Sequence, residues 1–333
     1  MGEFDLIRRY FQHPLHPEGV ALGNGDDCAL LAPRPGMTLA VSTDMLVEGR
    51  HFFSDVAPEA LGHKALAVNL SDLAAMGAQP LAFTLALALP RAGDDWLAGF
   101  SRGLLALADA HGCALVGGDT TAGPLNLCLT VFGEVPLAQA ARRSAAREGD
   151  DIYVSGTLGD ARLALEALRG QWALPAGTLA LTRERLERPT PRVALGLALR
   201  GHIHACADIS DGLLGDLDHI LTASGVAAEL DVDALWASGA LTEAVRALPD
   251  PWRWTCVLAG GDDYELVFTA PAAARTAVQA AARQAGTAVS RIGRVVNRGP
   301  HTSGAPALAL RDGQGRPAVP PAGARLGSFD HFA

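Results

Sequence analysis

Residues 64–79 (KALAVNLSDLAAMGAQ) are nearly all apolar or small, and they contain one carboxylate, Asp72. Their apolar positions recur at the spacing of one helix face, and Gly77 followed by Pro80 is a stop signal, so the pattern predicts a helix. Asn69 and Asp72 are three residues apart and therefore share a face of that helix. Because an unpaired buried carboxylate is costly, Asp72 either faces a cation or a metal from elsewhere in the fold, or lies on the solvent side of the helix.

The first half of the chain alternates between helical and strand-like patterns. Amphipathic spacing predicts further helices over residues 3–11 and 96–110. Short apolar runs bounded by glycine, proline or polar residues predict strands over residues 37–42, 81–89, 113–116 and 125–135. The strand 37–42 runs into Thr43 and Asp44, and the strand 113–116 runs into Gly117-Gly118-Asp119.

The second half shows the same kinds of pattern. Strands are predicted over residues 150–156, 254–259 and 265–269, and a helix over 158–168. Ser210 and Asp211 can cap another helix, which Gly225 ends. Residues 182–191 are predicted to be a charged connector and residues 297–324 a loop-like tail.

A domain boundary is predicted in the short, basic stretch 138–149, which contains Arg142, Arg143 and Arg147. We place the first domain at residues 1–136 and the second at 148–333. A chain of 333 residues is long enough for two domains, each with its own core. Abundant Ala, Gly and Leu with few aromatic residues indicate a globular protein of the α/β or α+β class.

Charge and cysteine usage narrow the functional classes. The formal net charge of −9 argues against a nucleic-acid surface, which needs a basic stripe. The five cysteines form no C-x-x-C pair, so we expect reduced, buried thiols rather than a disulfide or zinc framework. The N-terminus has no apolar core of signal-peptide length, and no apolar run is long enough to span a membrane. We therefore expect a cytoplasmic protein with no membrane partner.

Aspartates recur at the predicted strand ends, flanked by Gly, Ser and Thr; they are Asp27, Asp44, Asp119, Asp208 and Asp262. Rigid scaffolds place functional groups at such positions. Nearby hydroxyls, those of Ser42, Thr43 and Ser210, add hard oxygen atoms. Magnesium prefers oxygen ligands and bridges carboxylates to phosphates, whereas zinc would need a His/Cys cluster that the sequence lacks. The pattern favours Mg²⁺.

An apolar run followed by Gly-Gly-Asp occurs twice, as CALVGGD and TCVLAGGD. Each copy is either a tight turn or a loop that lets backbone N–H groups approach a phosphate. The repetition hints at two related half-folds. No Walker A motif, no G-x-G-x-x-G at a strand–helix junction and no G-x-S-x-G is present. His51 is either a base or one polar residue of a loop.

Six segments, in order, resemble the bacterial thiamine-monophosphate kinase family: GNGDDCALL, VSTDMLVEGRHF, KALAVNLSDLAAMGAQP, LVGGDTTAGP, DISDGLLGDLDHI and GGDDYEL. The resemblance runs from Gly2 to Phe332. The acidic motifs indicate the ATP-binding superfamily shared with aminoimidazole ribonucleotide synthetase. His51, the run around Asp72 and the aromatic end of the chain point to this family within it.

The resemblance implies site residues and a fold. By position, the magnesium ligands would be Asp27, Ser42, Thr43, Asp44, Asp72, Asp119, Asp208 and Asp211. ATP contacts would be Gly118, Asp119, Arg143 and Ser210, and thiamine phosphate contacts His51, Asp262 and Phe329. Asp262 stands where the family often has Glu. The implied fold is α+β, with an N-terminal mixed α/β domain whose sheet forms a barrel across a homodimer, and a C-terminal α/β sandwich domain.

The implied reaction is ATP-dependent phosphorylation of thiamine monophosphate to thiamine diphosphate, the final step of thiamine diphosphate biosynthesis. Transfer would be direct and in line, assisted by several Mg²⁺ ions, and would involve no covalent protein intermediate. Two alternatives stay open at this point. One is another superfamily enzyme that activates oxygen or selenium with ATP. Selenophosphate synthetases usually carry a reactive Cys or selenocysteine in a glycine-rich N-terminal loop, and the position of Cys28 inside an apolar run disfavours this alternative. The other is a sensor that binds nucleotide or thiamine phosphate without turnover.

Overall fold

The structure is a computed structural model, and it describes residues 3–298 and 307–328. The chain forms two units. The first contains the chain up to Leu73, Ala78–Ala140 and Glu187–Val193, and the second contains Ala74–Gly77, Ala141–Leu186 and the described residues from Ala194 onwards. The division into domains at 1–136 and 148–333 stays a prediction. The main change of unit, between Ala140 and Ala141, falls in the basic stretch between those two ranges.

The first unit is built on one mixed sheet. Its helices are α1 (Glu3–Leu6, followed by a π-helical turn over Ile7–Phe11), α2 (Pro58–Ala75) and α3 (Asp94–His111). Its strands are β1 (Val20–Leu22), β2 (Leu30–Leu31), β3 (Met37–Val47), β4 (Gln79–Leu89), β5 (Ala114–Ala122) and β6 (Asn126–Pro136). Within the described residues the sheet order is β3-β6-β4-β5, with β4 and β5 parallel and the other pairs antiparallel.

Helix α2 is buried on nearly every side, as expected for a helix with almost no polar face. Glycines let it lie directly against α3. A Cβ added at Gly103 would lie 1.9 Å from the Glu59 carbonyl oxygen, and one added at Gly62 would lie 2.1 Å from that of Phe100. On the sheet side, the Leu73 side chain packs against Gly133 of β6. Backbone contact on one side and sheet contact on the other fix the position of α2.

The edge strand β3 has two different faces. Its residues Ser42, Asp44 and Leu46 are half-buried or buried. The alternate apolar side chains are exposed to between 36% and 59%, and we call them the β3 apolar row: Leu39, Val41, Met45 and Val47. Edge strands with exposed apolar side chains invite pairing with another chain.

The second unit is built on a sheet of six strands, counted over the described residues. Its strands are β7 (Asp150–Ser155), β8 (Ala205–Asp208), β9 (Ala227–Asp231), β10 (Leu266–Pro271), β11 (Val289–Val296) and β12 (Leu308–Arg311), in the order β12-β9-β11-β7-β10-β8. Only the β12–β9 pair of this sheet is parallel. Its helices are α4 (Asp160–Leu168), α5 (Ala176–Glu187), α6 (Val193–Ala198), α7 (Leu213–Ser224), α8 (Val232–Ala237), α9 (Glu243–Arg246), α10 (Asp250–Ala259) and α11 (Arg275–Ala285).

Three predictions for this half are wrong. The predicted strand 254–259 is the end of helix α10, which starts with a proline in its first turn; a short apolar run does not by itself distinguish a strand from a buried helix. The predicted connector 182–191 belongs largely to α5, whose charged residues hid its helical character. The tail 297–324 contains β12, which pairs with β9. Helix 158–168 and strand 150–156 are confirmed as α4 and β7.

Candidate functional site

Helix α2 and strand β3 bring Ser42, Asp44 and Asp72 together. The Ser42 hydroxyl donates a hydrogen bond to Asp72 Oδ2 at 2.5 Å, and the Asp44 backbone N–H donates to Asn69 Oδ1 at 3.2 Å. Asn69 also donates to the Ala65 carbonyl at 3.0 Å, which fixes its amide. Asn69 and Asp72 therefore share one helix face, as predicted, and that face is turned towards β3. Asp72 is half-buried there.

Asp27, Gly118 and Asp119 line a cavity of about 590 Å³ in the first unit. Its wall also contains the apolar side chains of Ile7 and Phe11. The turn that carries Asp27 is held against β5, because the Asn24 side chain donates to the Leu115 carbonyl at 3.1 Å. The cavity thus combines apolar walls with carboxylates, as binding pockets for small polar ligands do.

The first Gly-Gly-Asp motif lies inside strand β5 and not after a strand, so both the tight-turn and the loop interpretation of it are wrong. Strand β4 is 11 residues long and keeps pairing past Val116, so that Leu85 lies opposite Gly118 and Ala86 opposite Asp119. A Cβ at Gly118 would lie 1.9 Å from the Leu85 carbonyl oxygen. Glycine is needed here for the close approach of two strands.

Asp44 was also predicted at a strand end and lies instead within β3, because β6 pairs with β3 along its whole length. The second Gly-Gly-Asp motif follows helix α10. The two motifs therefore occupy different structural settings, and the hint of two related half-folds has no support from them.

The sheet register separates two groups of predicted ligands. Asp44 lies opposite Leu129, Leu129 opposite Leu85, and Leu85 opposite Gly118. Asp44 and Gly118 therefore lie at the two edges of the sheet, three strand spacings or roughly 14 Å apart. Within residues 3–298 and 307–328, no three acidic, histidine or cysteine side chains form a group that could hold a metal ion.

His51 and Thr43 lie close to β3 but are oriented by different contacts. A tight loop after β3 returns His51 to it, and the Val47 N–H donates to His51 Nδ1 at 3.0 Å. The neutral ring therefore carries its proton on Nε2. The Thr43 hydroxyl is 2.9 Å from that of Thr130 on β6. Thr43 alternates with Ser42 and Asp44 and lies on the same side of β3 as the apolar row.

In the second unit, Asp208, Ser210 and Asp211 lie at the junction of β8 and α7. Asp208 is the buried last residue of β8. The predicted cap position is wrong, because the N-cap of α7 is Gly212 and not Ser210 or Asp211. Instead, Asp216 in the first turn of α7 accepts hydrogen bonds at 3.1 Å from three successive backbone N–H groups, those of Ser210, Asp211 and Gly212. Burial raises the pKa of the Asp216 carboxyl to about 7.

Arg143 opens a short 3₁₀ turn and has an exposed side chain. The Ser224 hydroxyl, at the end of α7, donates to the Arg143 carbonyl at 2.8 Å and accepts from the Ala146 N–H at 3.0 Å. The guanidinium partly offsets the effect of burial on the pKa of Asp216. Arg143 and the loop after β8 therefore share one electrostatic environment.

Asp262 is half-buried and has a left-handed backbone with φ 58°. Its neighbour Asp263 is buried, accepts a hydrogen bond from the Gly159 N–H at 2.9 Å, and has a pKa raised well above its usual range by burial. Phe329 lies outside the described residues.

Sequence reasoning missed Asp216 and Asp263 as functional candidates. Both lie within motifs that the sequence analysis identified, DISDGLLGD and GGDDYEL. In the sequence, however, each is distinguished only as one more acidic residue near a glycine. Burial and bonding to backbone N–H groups distinguish them, and neither property is visible in the sequence. The prediction of buried thiols also fails for two cysteines, since Cys28 is exposed and Cys128 is only half-buried.

Comparisons with known proteins find a family model in each half of the chain. The model of the AIR synthase related protein N-terminal domain matches residues 25–135, and that of the C-terminal domain matches residues 147–304. Thiamine-monophosphate kinase of Salmonella typhimurium is 47% identical over 296 residues, which cover 88% of this chain and 90% of the relative.

Solved structures agree with the sequence relatives. The crystal structure of thiamine-monophosphate kinase from Stenotrophomonas maltophilia K279a is 46% identical with a TM-score of 0.83, covering 96% of this chain and 98% of that chain. The structure of AaThiL complexed with AMPPCP and TMP is 27% identical with a TM-score of 0.73, covering 99% and 97%. Among the described residues, no helix has both the length and the apolar character needed to cross a membrane.

Proposed function

Because the chain belongs to the thiamine-monophosphate kinase family, we propose that it transfers the γ-phosphoryl group of ATP to thiamine monophosphate, giving thiamine diphosphate and ADP. The observation that carries this proposal is the full-length similarity to kinases of that name, together with a relative crystallised with AMPPCP and TMP. Formation of thiamine diphosphate from Mg·ATP and thiamine monophosphate tests it. The site of action that we propose is the cytoplasm.

The acceptor oxygen belongs to a phosphate and is already anionic near neutral pH, so the reaction needs no strong base and no protein nucleophile. The difficulty is the approach of two polyanions within a protein of net charge −9. When bound, Mg²⁺ would neutralise charge on the two phosphate groups. The proposed ligands offer only carboxylate and hydroxyl oxygens, which suits this ion; they are Asp27, Ser42, Thr43, Asp44, Asp72, Asp119, Asp208 and Asp211.

The remaining contacts divide between the two substrates. Gly118 and Asp119 at the cavity, with Arg143 and Ser210, would contact ATP. Thiamine monophosphate would be contacted by His51, Asp262 and Phe329. The forked guanidinium of Arg143 suits bidentate binding of phosphate oxygens. An acid and an aromatic ring suit the cationic thiazolium of the acceptor.

Arg143→Ala should raise the apparent KM for ATP by roughly 10–100-fold, because this is the cost of losing hydrogen bonds to a charged group. The KM for thiamine monophosphate should change little. Phe329→Ala should instead raise the KM for thiamine monophosphate and leave the KM for ATP nearly unchanged. Steady-state titrations of each substrate measure the split, and Arg142→Ala, which removes the neighbouring exposed arginine, is the matched control. Equal shifts for both substrates in both variants would mean that the two residues act through folding, and the division of contacts would be wrong.

We also propose that two chains form a homodimer in which their first-unit sheets join into a barrel. The β3 apolar row and the edge position of β3 support it. An arrangement that places β3 of one subunit beside β5 of the other would put Asp44 and the partner subunit's Asp119 on adjacent strands. Such an arrangement would unite ligands that one sheet holds roughly 14 Å apart.

Val41→Lys should disrupt this dimer, because it would bury a charge at each copy of the interface. We expect the dissociation constant to rise by at least about 10²-fold, with activity falling in parallel. Sedimentation velocity over a concentration series measures it. Leu181→Lys is the control, since Leu181 is exposed to 75% and belongs to the second unit, whereas β3 belongs to the first. A monomeric wild type, or a Val41→Lys dimer of unchanged affinity, would contradict the proposal.

A further inference from the structure

The loops that carry Ser210 and Asp262 are hydrogen-bonded to each other. The Asp262 N–H donates to the Ser210 carbonyl at 2.8 Å, and the Tyr264 N–H donates to that of Ile209 at 2.9 Å. The Ile209 N–H donates back to the Glu265 backbone carbonyl at 2.7 Å. These bonds extend the β8–β10 ladder beyond the strands. We call residues 209–212 and 261–265 the paired loops.

Asp216 anchors the first of the paired loops. Asp216 as a residue is only 2% exposed, and its Oδ2 accepts from three successive N–H groups at 3.1 Å. Successive N–H groups that converge in this way form a concave site suited to a phosphate or another anion. Here a protein carboxyl already fills the site. The loop also carries the Ser210 hydroxyl and the Asp211 carboxylate, and oxygen atoms of this kind are ligands for a cation.

Asp263 anchors the second loop. It is 3% exposed and accepts from the Gly159 N–H, while its Oδ2 has no hydrogen-bond partner among the described residues. The residues on both sides of it, Asp262 and Tyr264, have left-handed backbones with φ 58° and 49°. Non-glycine residues rarely adopt this conformation, and it persists only where the surroundings enforce it. Asp263 lies between these two residues, and the backbone bonds of the Asp262 and Tyr264 N–H groups to Ser210 and Ile209 hold the same segment.

Two acids and one base face Asp263 within the unit. Asp160 of α4 and Glu265 are acidic, and Arg185 of α5 is basic. Glu265 is fully buried and accepts from Arg185 at 2.8 Å and from the Ser155 hydroxyl at 2.6 Å. The base of the second loop is therefore hydrogen-bonded to α5 and β7, and through Asp263 to the residue before α4.

We infer that Asp216 and Asp263 are positioning residues of the phosphoryl-transfer site: Asp216 orients Ser210 and Asp211 towards Mg·ATP, and Asp263 orients Asp262 towards the acceptor. Neither residue contacts a substrate. The inference rests on the proposed function, which assigns those contacts to Ser210, Asp211 and Asp262. It adds a reason why one loop presents oxygen atoms to a cation instead of N–H groups to a phosphate.

Asp216→Ala should raise the Mg²⁺ concentration for half-maximal rate by about 10–100-fold, the usual effect of removing a group that orients a metal ligand. In Asp216→Asn the Mg²⁺ concentration for half-maximal rate should stay within a few-fold of the wild-type value, because the amide oxygen can accept hydrogen bonds from the same N–H groups. Asp263→Ala should raise the KM for thiamine monophosphate at least ~10-fold, by misplacing one contact, while the KM for ATP stays within about twofold. Asp263→Asn should restore that KM.

The measurements are steady-state titrations well below the melting temperature of each variant. Unchanged Mg²⁺ requirement and KM in the alanine variants would overturn the inference, and so would asparagine variants as impaired as the alanine ones. Should Asp216→Ala not melt cooperatively, Asp216→Ser takes its place, with the same expectation. Calorimetric titration with Mg·AMPPCP, in which Asp216→Ala should bind at least ~10-fold more weakly than wild type, needs no turnover. It tests the role of Asp216 even if wild type forms no thiamine diphosphate, a result that would count against the proposed function alone.

Discussion

Asp72→Asn is expected to lower the turnover number at least ~10²-fold while the melting temperature changes little. The asparagine oxygen can still accept the Ser42 hydroxyl, which lies 2.5 Å from Asp72 Oδ2, so the contact between α2 and β3 survives. What is lost is the negative charge that would hold Mg²⁺, and removal of one charged contact to a transition state typically costs this much. Rates at saturating substrates and thermal unfolding of the two proteins measure it.

The matched control for Asp72 is the preceding residue of the same helix. Ser71 is fully buried, and its hydroxyl has no partner among the described residues. Ser71→Ala should therefore leave both turnover and stability nearly unchanged. Equal activity and equal melting temperature in wild type and Asp72→Asn would show that Asp72 holds no metal.

Removal of divalent metal is expected to abolish activity. The proposed ligands are carboxylates and hydroxyls, and Mg²⁺ stabilises phosphoryl transfer by several kcal/mol, so excess EDTA should lower the rate by at least about 10³-fold. Added Mg²⁺ should restore it, and EDTA already saturated with Mg²⁺ is the control. The melting temperature should change little, because the cores of both units are built of apolar side chains. Full turnover in metal-free buffer would contradict the proposed chemistry.

Much of the fold could be predicted where the hydrophobic period and the stop signals agreed. The predicted strands 81–89 and 125–135 correspond to β4 and β6, and the helix ended by Gly225 is α7, with Gly225 left-handed at its end. Predictions failed where the local pattern was ambiguous. The apolar run 254–259 fits a strand or a helix equally well, and the structure makes it helix α10.

The site was harder to predict because its geometry depends on pairing between distant segments. The sequence identifies Asp44 and Asp119 as acids beside small residues. Only the order β3-β6-β4-β5 reveals that they lie at opposite edges of one sheet. Likewise, the acidic motifs do not distinguish the half-buried Asp262 from the buried Asp263 next to it. Strand order and burial are properties of the whole fold, and residue spacing carries little information about either.

The most direct test of the proposed function is the product formed from ATP labelled in its γ-phosphate, Mg²⁺ and thiamine monophosphate. We expect thiamine diphosphate and ADP in equal amounts, with the label in the terminal phosphate of thiamine diphosphate, and both products formed at least ~10²-fold more slowly by Asp72→Asn. Chromatographic separation of the thiamine phosphates and nucleotides gives both quantities in one sample. ADP and labelled inorganic phosphate without thiamine diphosphate would contradict the proposal and point to another acceptor.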